Sequence, residues 1–416
     1  MRGFLSIALL AASLCWLSAA PASAQEIGGD LGSPTVFRPK NPEIKRRPPR
    51  TNRPTGIKPP QARSGNTGVR RPALSPEEIE ERVEEALAEG NAARDARKFT
   101  EAEKAYREAI SLKPKDARAF DGLGNIYTDQ QRWEDAEKAY RQAAQLNFND
   151  ADAMVALSFV LVQPRAGAGN AKRFADAELY ARRAIQLQET NAVAYDRLGA
   201  ALEARGIFNN DTEQAYRRAI ELDSQFAVAH VHLASLLRKL NRKSEADPLY
   251  SRAIDLAKDA PTLILIAESM QSEQRWFDSE PILRRALELD ERNPRAHFLL
   301  GRALVVKRQY GEAEPHLQRA IEISPRSFQL YNILGRAYLG AERYEEAERT
   351  YIRAIEYAPA GDRKQLAGAF GLGGVGDGYM KAGRASDAAR VYQRALQLDP
   401  DNADLQSKLA GARAKN

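Results

Sequence analysis

Cysteine is all but missing from this chain: among 416 residues the only one is Cys15. It has no partner for an internal disulfide, and it sits in an apolar stretch at the N-terminus. Thiolate catalysis and cysteine-based metal sites are therefore excluded from the remainder. Histidine is scarce as well, limited to His230, His232, His297 and His316. His230 and His232 stand two apart, which puts them on different faces of a helix, unlike the i, i+4 pair of a zinc-binding helix. They read as packing residues, and no metal or cofactor site follows. Neither G-x-S-x-G nor G-x-x-x-x-G-K-[ST] occurs, so the serine-hydrolase elbow and the phosphate-binding loop are absent. Aromatics make up only 7% of the residues and do not interleave with the basic residues of the N-terminal 25–74 stretch, which together with the export expected from the N-terminus argues against nucleic acid as a partner.

What is abundant is Ala, Arg, Glu and Leu, a helix-forming composition. The N-terminus departs from it. Arg2 precedes an apolar run from Phe4 to Ala20, and Ala22-Ser23-Ala24 has the small-x-small form of a cleavage site. Residues 1–24 read as a signal peptide removed before Gln25. The expectation is an exported protein, in a periplasm, with no transmembrane segment after cleavage. Secretion, or retention of the apolar run as a membrane anchor, are the alternatives. Residues 25–74 form a second zone with nine prolines and eleven Lys/Arg against three Asp/Glu. Without apolar periodicity it is expected to be a disordered basic linker. Its concentrated charge makes an anionic envelope polymer a possible partner. Residues 75–416 carry 50 basic and 53 acidic residues, so the basic character belongs to the tail.

The body repeats. Ala109, Ala143, Ala184, Ala219, Ala253, Ala286, Ala320, Ala354 and Ala395 recur at spacings of 33 to 41 residues, mostly 34. Seven residues before each stands another small residue, from Ala102 to Ala388, two helical turns away on the same face. One helix earlier a third small position recurs, as at Gly90, Gly124, Gly301, Gly335 and Gly376. A large apolar residue usually precedes it, as at Leu123, Leu300, Leu334 and Val375. Each unit is thus two antiparallel helices brought close by small residues. Seven extra residues fall near Gln163–Lys172, seven near Asp362–Gly368 and one near Phe208–Asp211. The pattern resembles the tetratricopeptide repeat family, most plainly in AFDGLGNIYTDQQRWEDAEKAYRQAAQL (119–146) and LYNILGRAYLGAERYEEAERTYIRAIEYAP (330–359). The resemblance implies an all-α, right-handed α-solenoid of about nine helix pairs over 75–402, the repeats starting near 83. Residues 403–416 supply a capping helix and tail.

Gly371 to Gly376 match G-x-G-x-x-G, the dinucleotide fingerprint, but the fingerprint acts only after a β-strand. Here it lies within the first helix of the ninth unit, where Gly376 is the small residue and Val375 the large one. Five glycines in eight residues weaken that helix, since each costs about 1 kcal/mol against Ala, so it is expected to be loose.

No enzyme is expected. The resemblance instead implies a groove lined by the first helix of each pair. Carried over position by position, the family's groove residues fall on Asn91, Arg94, Asp95, Asp121, Asn125, Asp129 and Asp152 in the first units. In the middle they fall on Val155, Phe159, Val228, Val231 and Ile264. Later they fall on Arg295, Phe298, Arg302, Asn332 and Arg336. Asn and Arg donors over an apolar floor suit an extended peptide. Leu87 stands where the family's carboxylate clamp needs Lys, so that clamp is not expected. The resulting reading is a non-enzymatic scaffold for a protein or peptide, assisting assembly of an envelope complex. The alternative is an accessory to the binding or export of an envelope polysaccharide.

Overall fold

The computed structural model describes residues 37–45, 74–163 and 169–415, and every regular element among them is helical. The signal segment, the linker outside 37–45 and the insertion at 164–168 lie outside the described residues. The chain divides into two compact units: Phe37–Gln163 with Gly169–Ile207, and the chain from Phe208 on.

The first unit contains α1 (Pro76–Asp95), α2 (Phe99–Leu112), α3 (Ala117–Asp129), α4 (Trp133–Leu146), α5 (Ala151–Leu161), α6 (Asn170–Leu187) and α7 (Ala192–Ala204). Ser75 starts it with a capping box: its hydroxyl accepts the Glu78 N–H and the Glu78 carboxylate accepts the Ser75 N–H, which satisfies two orphan donors at once. Successive helices pair as hairpins, α1 with α2, α3 with α4 and α5 with α6. The turn after the first helix is made by a residue in the left-handed region, Arg97 and Gln131 in the first two hairpins. This geometry lets the Lys98 and Arg132 N–H groups reach back to Ala93 and Tyr127 oxygens at 2.8 Å. Satisfying those late carbonyls offsets the roughly 1–2 kcal/mol that an L-residue costs there.

The small-against-large logic of the repeat is realised, and the filling group is more often a tyrosine of the second helix than the leucine preceding the small residue. Tyr106 lies against Gly90, and Tyr140 against Gly124, where a Cβ would stand 2.6 Å from the ring. Leu123, Leu157 and Leu198, which precede the small residues of their own first helices, are buried.

The second unit begins with α8 (Asn210–Leu222). Four hairpins follow: α9 (Ala227–Lys239) with α10 (Lys243–Leu256), α11 (Ala260–Ser272) with α12 (Trp276–Leu289), α13 (Pro294–Val306) with α14 (Tyr310–Ile323), and α15 (Phe328–Gly340) with α16 (Tyr344–Tyr357). The insertion expected near 362–368 falls in α17 (Ala360–Arg363) and a 3₁₀ turn (Lys364–Ala367). The last hairpin, α18 (Leu372–Lys381) with α19 (Ala385–Leu398), is followed by α20 (Ala403–Ala414). Gly371 precedes α18 and its φ is negative. A 3₁₀ turn leads into the glycine-rich helix and no strand stands before it, so the dinucleotide fingerprint lacks its structural context.

Within each unit, carboxylates of the second helices pair with arginines of their own and the next hairpin. Glu137 accepts from Arg141 of its own helix at 2.7 Å and faces Arg173 at 3.6 Å. Glu213 likewise takes Arg217 of its own helix and Arg242 of the next hairpin at 2.7 and 2.6 Å, and Glu314 takes Arg343 at 2.7 Å. A carboxylate stands directly after the small residue in eight of the nine second helices, from Glu103 to Glu348, and Ala389 takes that place in the ninth.

Candidate peptide-binding site

The first helices of the first unit, α1, α3 and α5, share a face, and that face is occupied. Residues Phe37–Lys45 run along it without regular secondary structure, from α5 at the Phe37 end back to α1 at the Lys45 end. This corrects the expectation of disorder for these nine residues. Composition treats them as solvated chain, whereas specific donors and carboxylates on the helices order them.

Two asparagines read the segment's main chain. The Tyr106 hydroxyl donates to Asn91 Oδ1 at 2.8 Å, which turns Asn91 Nδ2 outward to donate to the Pro42 carbonyl at 3.0 Å. One hairpin on, Tyr140 donates to Asn125 Oδ1 at 2.7 Å and Asn125 Nδ2 donates to the Lys40 carbonyl at 2.9 Å. The same device thus engages carbonyls two residues apart, one per helix pair.

Arg94 binds deeper, with its side chain only 1% exposed. Its Nε and Nη2 form a bidentate pair with Asp129 at 2.7 and 3.0 Å, while Nη1 donates to the Pro39 carbonyl and to Asn41 Oδ1, both at 2.8 Å. Burial is the largest influence and works against its charge, but the Asp129 hydrogen bond and the Asp129 charge together outweigh it and the pKa is raised. Arg118, held by Glu84 and Asp116, donates to the Glu43 carbonyl at 2.9 Å.

Carboxylates at the edge take the segment's basic groups. Asp95 accepts from Arg38 at 2.9 Å and from Asn41 at 3.1 Å, and Asp152 faces Lys40 at 3.0 Å. Glu84 accepts the Lys45 N–H at 2.7 Å. At the other end the Phe37 ring lies 4.9 Å from Phe159, with Arg197 over both rings.

Asn91, Asp95, Asn125 and Phe159 are therefore brought together around one ligand-like segment. Asp121 sits among them. Burial, reinforced by Asp150 and Asp152 and partly opposed by Arg94, pushes its carboxyl up to about 8. Its folded-state pKa lies above the unfolded value of about 4, so folding takes up a proton there. The cost of the buried charge therefore grows as pH rises from about 4 to about 8, then levels off. Asp121→Asn is expected to raise the melting temperature by an amount that grows across that window and is flat above it. Melts of both chains from pH 4 to 9 check this, and a pH-independent difference would refute it.

Val155 in α5, and Val228, Val231 and Ile264 in the second unit, are buried and so form no accessible floor; the remaining expected site residues lie in the second unit. Phe298 is buried, so it is no accessible floor; Arg295 and Arg302 lie 5.6 and 5.3 Å from its ring centroid. Arg302 donates to Gln271 Oε1 at 2.7 Å and covers Trp276. Burial, then the nearby charges of Arg295 and Arg336, lower its pKa to about 9, against the pull of Glu268. Glu268 pairs with Arg295. Arg336 lies over the Phe370 ring, and among the described residues it has no ion pair; Asn332, one turn before it, is half-buried.

Sequence reasoning missed Arg118, Glu84 and the segment itself. One signal was present: Phe37 is the only aromatic residue in 25–74, and Ile44 follows it across a run of basic residues and prolines. Among the described residues no group of His, Cys, Asp and Glu could hold a metal ion, and no helix among them is long and apolar enough to cross a membrane.

Family models described as tetratricopeptide repeat match residues 87–152, 229–263, 272–328 and 307–369, and one described as TPR repeat matches 376–416. Together they span more than half of the chain, which belongs to the tetratricopeptide repeat family. Solved structures to which the chain is similar include the MamA protein, 21% identical over 42% of this chain and 92% of its own, with a TM-score of 0.36. YrrB, described as a TPR protein with an unusual peptide-binding site, is 22% identical over 43% of this chain and 92% of its own, with a TM-score of 0.35. PilF of Pseudomonas aeruginosa is 16% identical over 51% of this chain and 94% of its own, with a TM-score of 0.39. Among curated proteins no match is found.

Proposed function

We propose that this chain is a non-enzymatic scaffold that holds an extended segment of another protein along the first helices of its repeats, and so assists assembly of an envelope complex. The observation that carries this reading is the pair of tyrosine-oriented amides, Asn91 and Asn125, aimed at alternate carbonyls of an extended chain. Main-chain reading of this kind binds peptides with little demand on their sequence, and the surrounding side chains then select among them. Export rests on the apolar run and Ala22-Ser23-Ala24. The polysaccharide alternative gains nothing from Arg38 and Lys40, whose charges are spent on Asp95 and Asp152.

The second unit supports a complementary role. Arg295, Arg302 and Arg336 are near one another with Glu268 as the carboxylate that offsets them, a balance that suits an acidic or C-terminal carboxylate segment of the partner. Removing one member of a desolvated charge pair costs about 2–5 kcal/mol, so Arg302→Ala with Arg336→Ala should weaken partner capture strongly. Arg302 also packs on Trp276, so Arg336→Ala alone is the variant that spares the fold. Crosslinking in envelope extract by the full chain, its Arg336→Ala form and its Asn91→Ala/Asn125→Ala form tests both surfaces. Capture of the same proteins by all three would remove the basis for this function.

A further inference from the structure

The segment in the first unit is part of the chain that carries the site, which raises the question of what the site holds in the presence of a partner. We propose that Phe37–Lys45 is a tethered competitor, and that the partner displacing it presents a segment of the same chemistry: extended, proline-containing and basic, led by an aromatic residue. The proposal rests on the peptide-scaffold reading above and names its ligand class and its regulation.

The ligand class follows from which groups the site uses. Four carbonyls of the segment are engaged, those of Pro39, Lys40, Pro42 and Glu43. The one main-chain N–H of the segment bound by the helices is that of Lys45. A site that reads carbonyls, and an N–H only at Lys45, loses nothing at the other positions to proline, which has none. Pro39 and Pro42 are the two buried residues of the segment, while Arg38, Lys40, Glu43 and Lys45 are exposed. Proline also restricts the residue before it to extended backbone, here Arg38 and Asn41, so less order has to be imposed on binding. Charge sets the sign. Asp95, Asp152, Glu80 and Glu84 lie around the segment and meet Arg38, Lys40 and Lys45. Like charges there would repel an acidic peptide. The aromatic end is defined by Phe159 and Trp133, whose rings are 6.1 Å apart, with Phe37 packed against the first at a tilt of 46°.

Displacement follows from how the segment is held. Its charges stay near water: Arg38 and Lys40 are 52% and 76% exposed in their pairs, and exposed pairs of this kind contribute little. Phe37 and Ile44 are half-buried. The occupant's hold comes from a few carbonyl bonds and from its attachment to α1 through residues 46–74, which fixes its local concentration whatever the protein concentration. A partner in trans must overcome that local concentration, and a partner with more contacts than nine residues supply can do so.

The test uses a fluorescent synthetic peptide of sequence FRPKNPEIK and the full chain, with anisotropy as the readout. A chain opened by Phe37→Ala, Arg38→Glu and Lys40→Glu sets carboxylates against Asp95 and Asp152 without altering any helix, and circular dichroism verifies its fold. The opened chain should bind the peptide at least tenfold more tightly than the parent, and adding Asn91→Ala and Asn125→Ala to it should abolish that gain. Equal binding by parent and opened chain would overturn the tethered competitor while leaving the peptide site intact. No binding by the folded opened chain would overturn the peptide site itself. Tight binding that survives loss of both asparagines places the peptide elsewhere and overturns the proposal. Binding by the parent that improves on dilution makes the occupant a second copy's segment, and likewise overturns it.

Discussion

Replacing Arg94 with alanine is expected to cost the first unit about 3–5 kcal/mol, the range seen when one partner of a buried ion pair is removed. Three features put this site at the upper end. The side chain is 1% exposed and Asp129 only 12%, so the carboxylate left behind cannot be fully rehydrated. The pair is bidentate, with bonds of 2.7 and 3.0 Å. The remaining nitrogen joins α1 to the docked segment through the Pro39 carbonyl and Asn41, so the loss reaches both fold and occupant. Arg94→Lys should recover only part of it, because an ammonium cannot form the fork. Arg94→Ala combined with Asp129→Ala should be less damaging than Arg94→Ala alone, since no charge is then stranded. The chain has three tryptophans, Trp16 near the N-terminus, Trp133 in the first unit and Trp276 in the second, so urea unfolding followed by Trp133 fluorescence in a Trp16→Phe, Trp276→Phe background reports this unit alone. A cost under about 1 kcal/mol would show that Arg94 behaves as an exposed charge.

How much of this was legible in the sequence depends on the range of the interaction. The hairpins are local: their small residues recur at fixed spacing, and Leu123, Leu300, Leu334 and Val375 are buried where the pattern puts them. The tyrosines that fill the space beside the glycines recur too, at Tyr106, Tyr140, Tyr351 and Tyr392, although the pattern of small residues drew attention to the preceding leucines instead. The docked segment is a different case. Arg38 meets Asp95 across 57 positions and Lys40 meets Asp152 across 112, and no periodicity links residues so far apart. Composition averages over 25–74 and so hides nine residues that behave unlike the rest. Groove positions transferred from the family include Asn91, Asp95 and Asn125, which meet the docked segment, because the repeat fixes the face on which they lie. It could not show that Phe298 is covered by Arg302, because that depends on side-chain length and packing at one site.

The glycine-rich helix provides the second large effect, and there two opposing terms must be weighed. Gly374→Ala removes a helix-weakening residue and should gain about 1 kcal/mol by propensity alone. A Cβ at that position, however, would run into the main-chain oxygen of Ala369 and stand 3.0 Å from Leu339 Cδ2. A flexible side chain could rotate away from such a contact, whereas the carbonyl belongs to the turn between Lys364–Ala367 and α18 and cannot move without shifting the backbone. Overpacking of this kind costs about 1–3 kcal/mol and at times more, and a clash with main chain belongs at the high end. Gly374→Ala is therefore expected to be destabilising on balance, by about 1–2 kcal/mol. Gly411 in α20 supplies the contrast, because a Cβ there meets nothing within 4 Å, so Gly411→Ala should stabilise by up to about 1 kcal/mol. Thermal melts of the two variants against the parent should move in opposite directions. If Gly374→Ala melts higher, propensity outweighs packing in α18 and its glycines are not required by the close approach of the preceding turn.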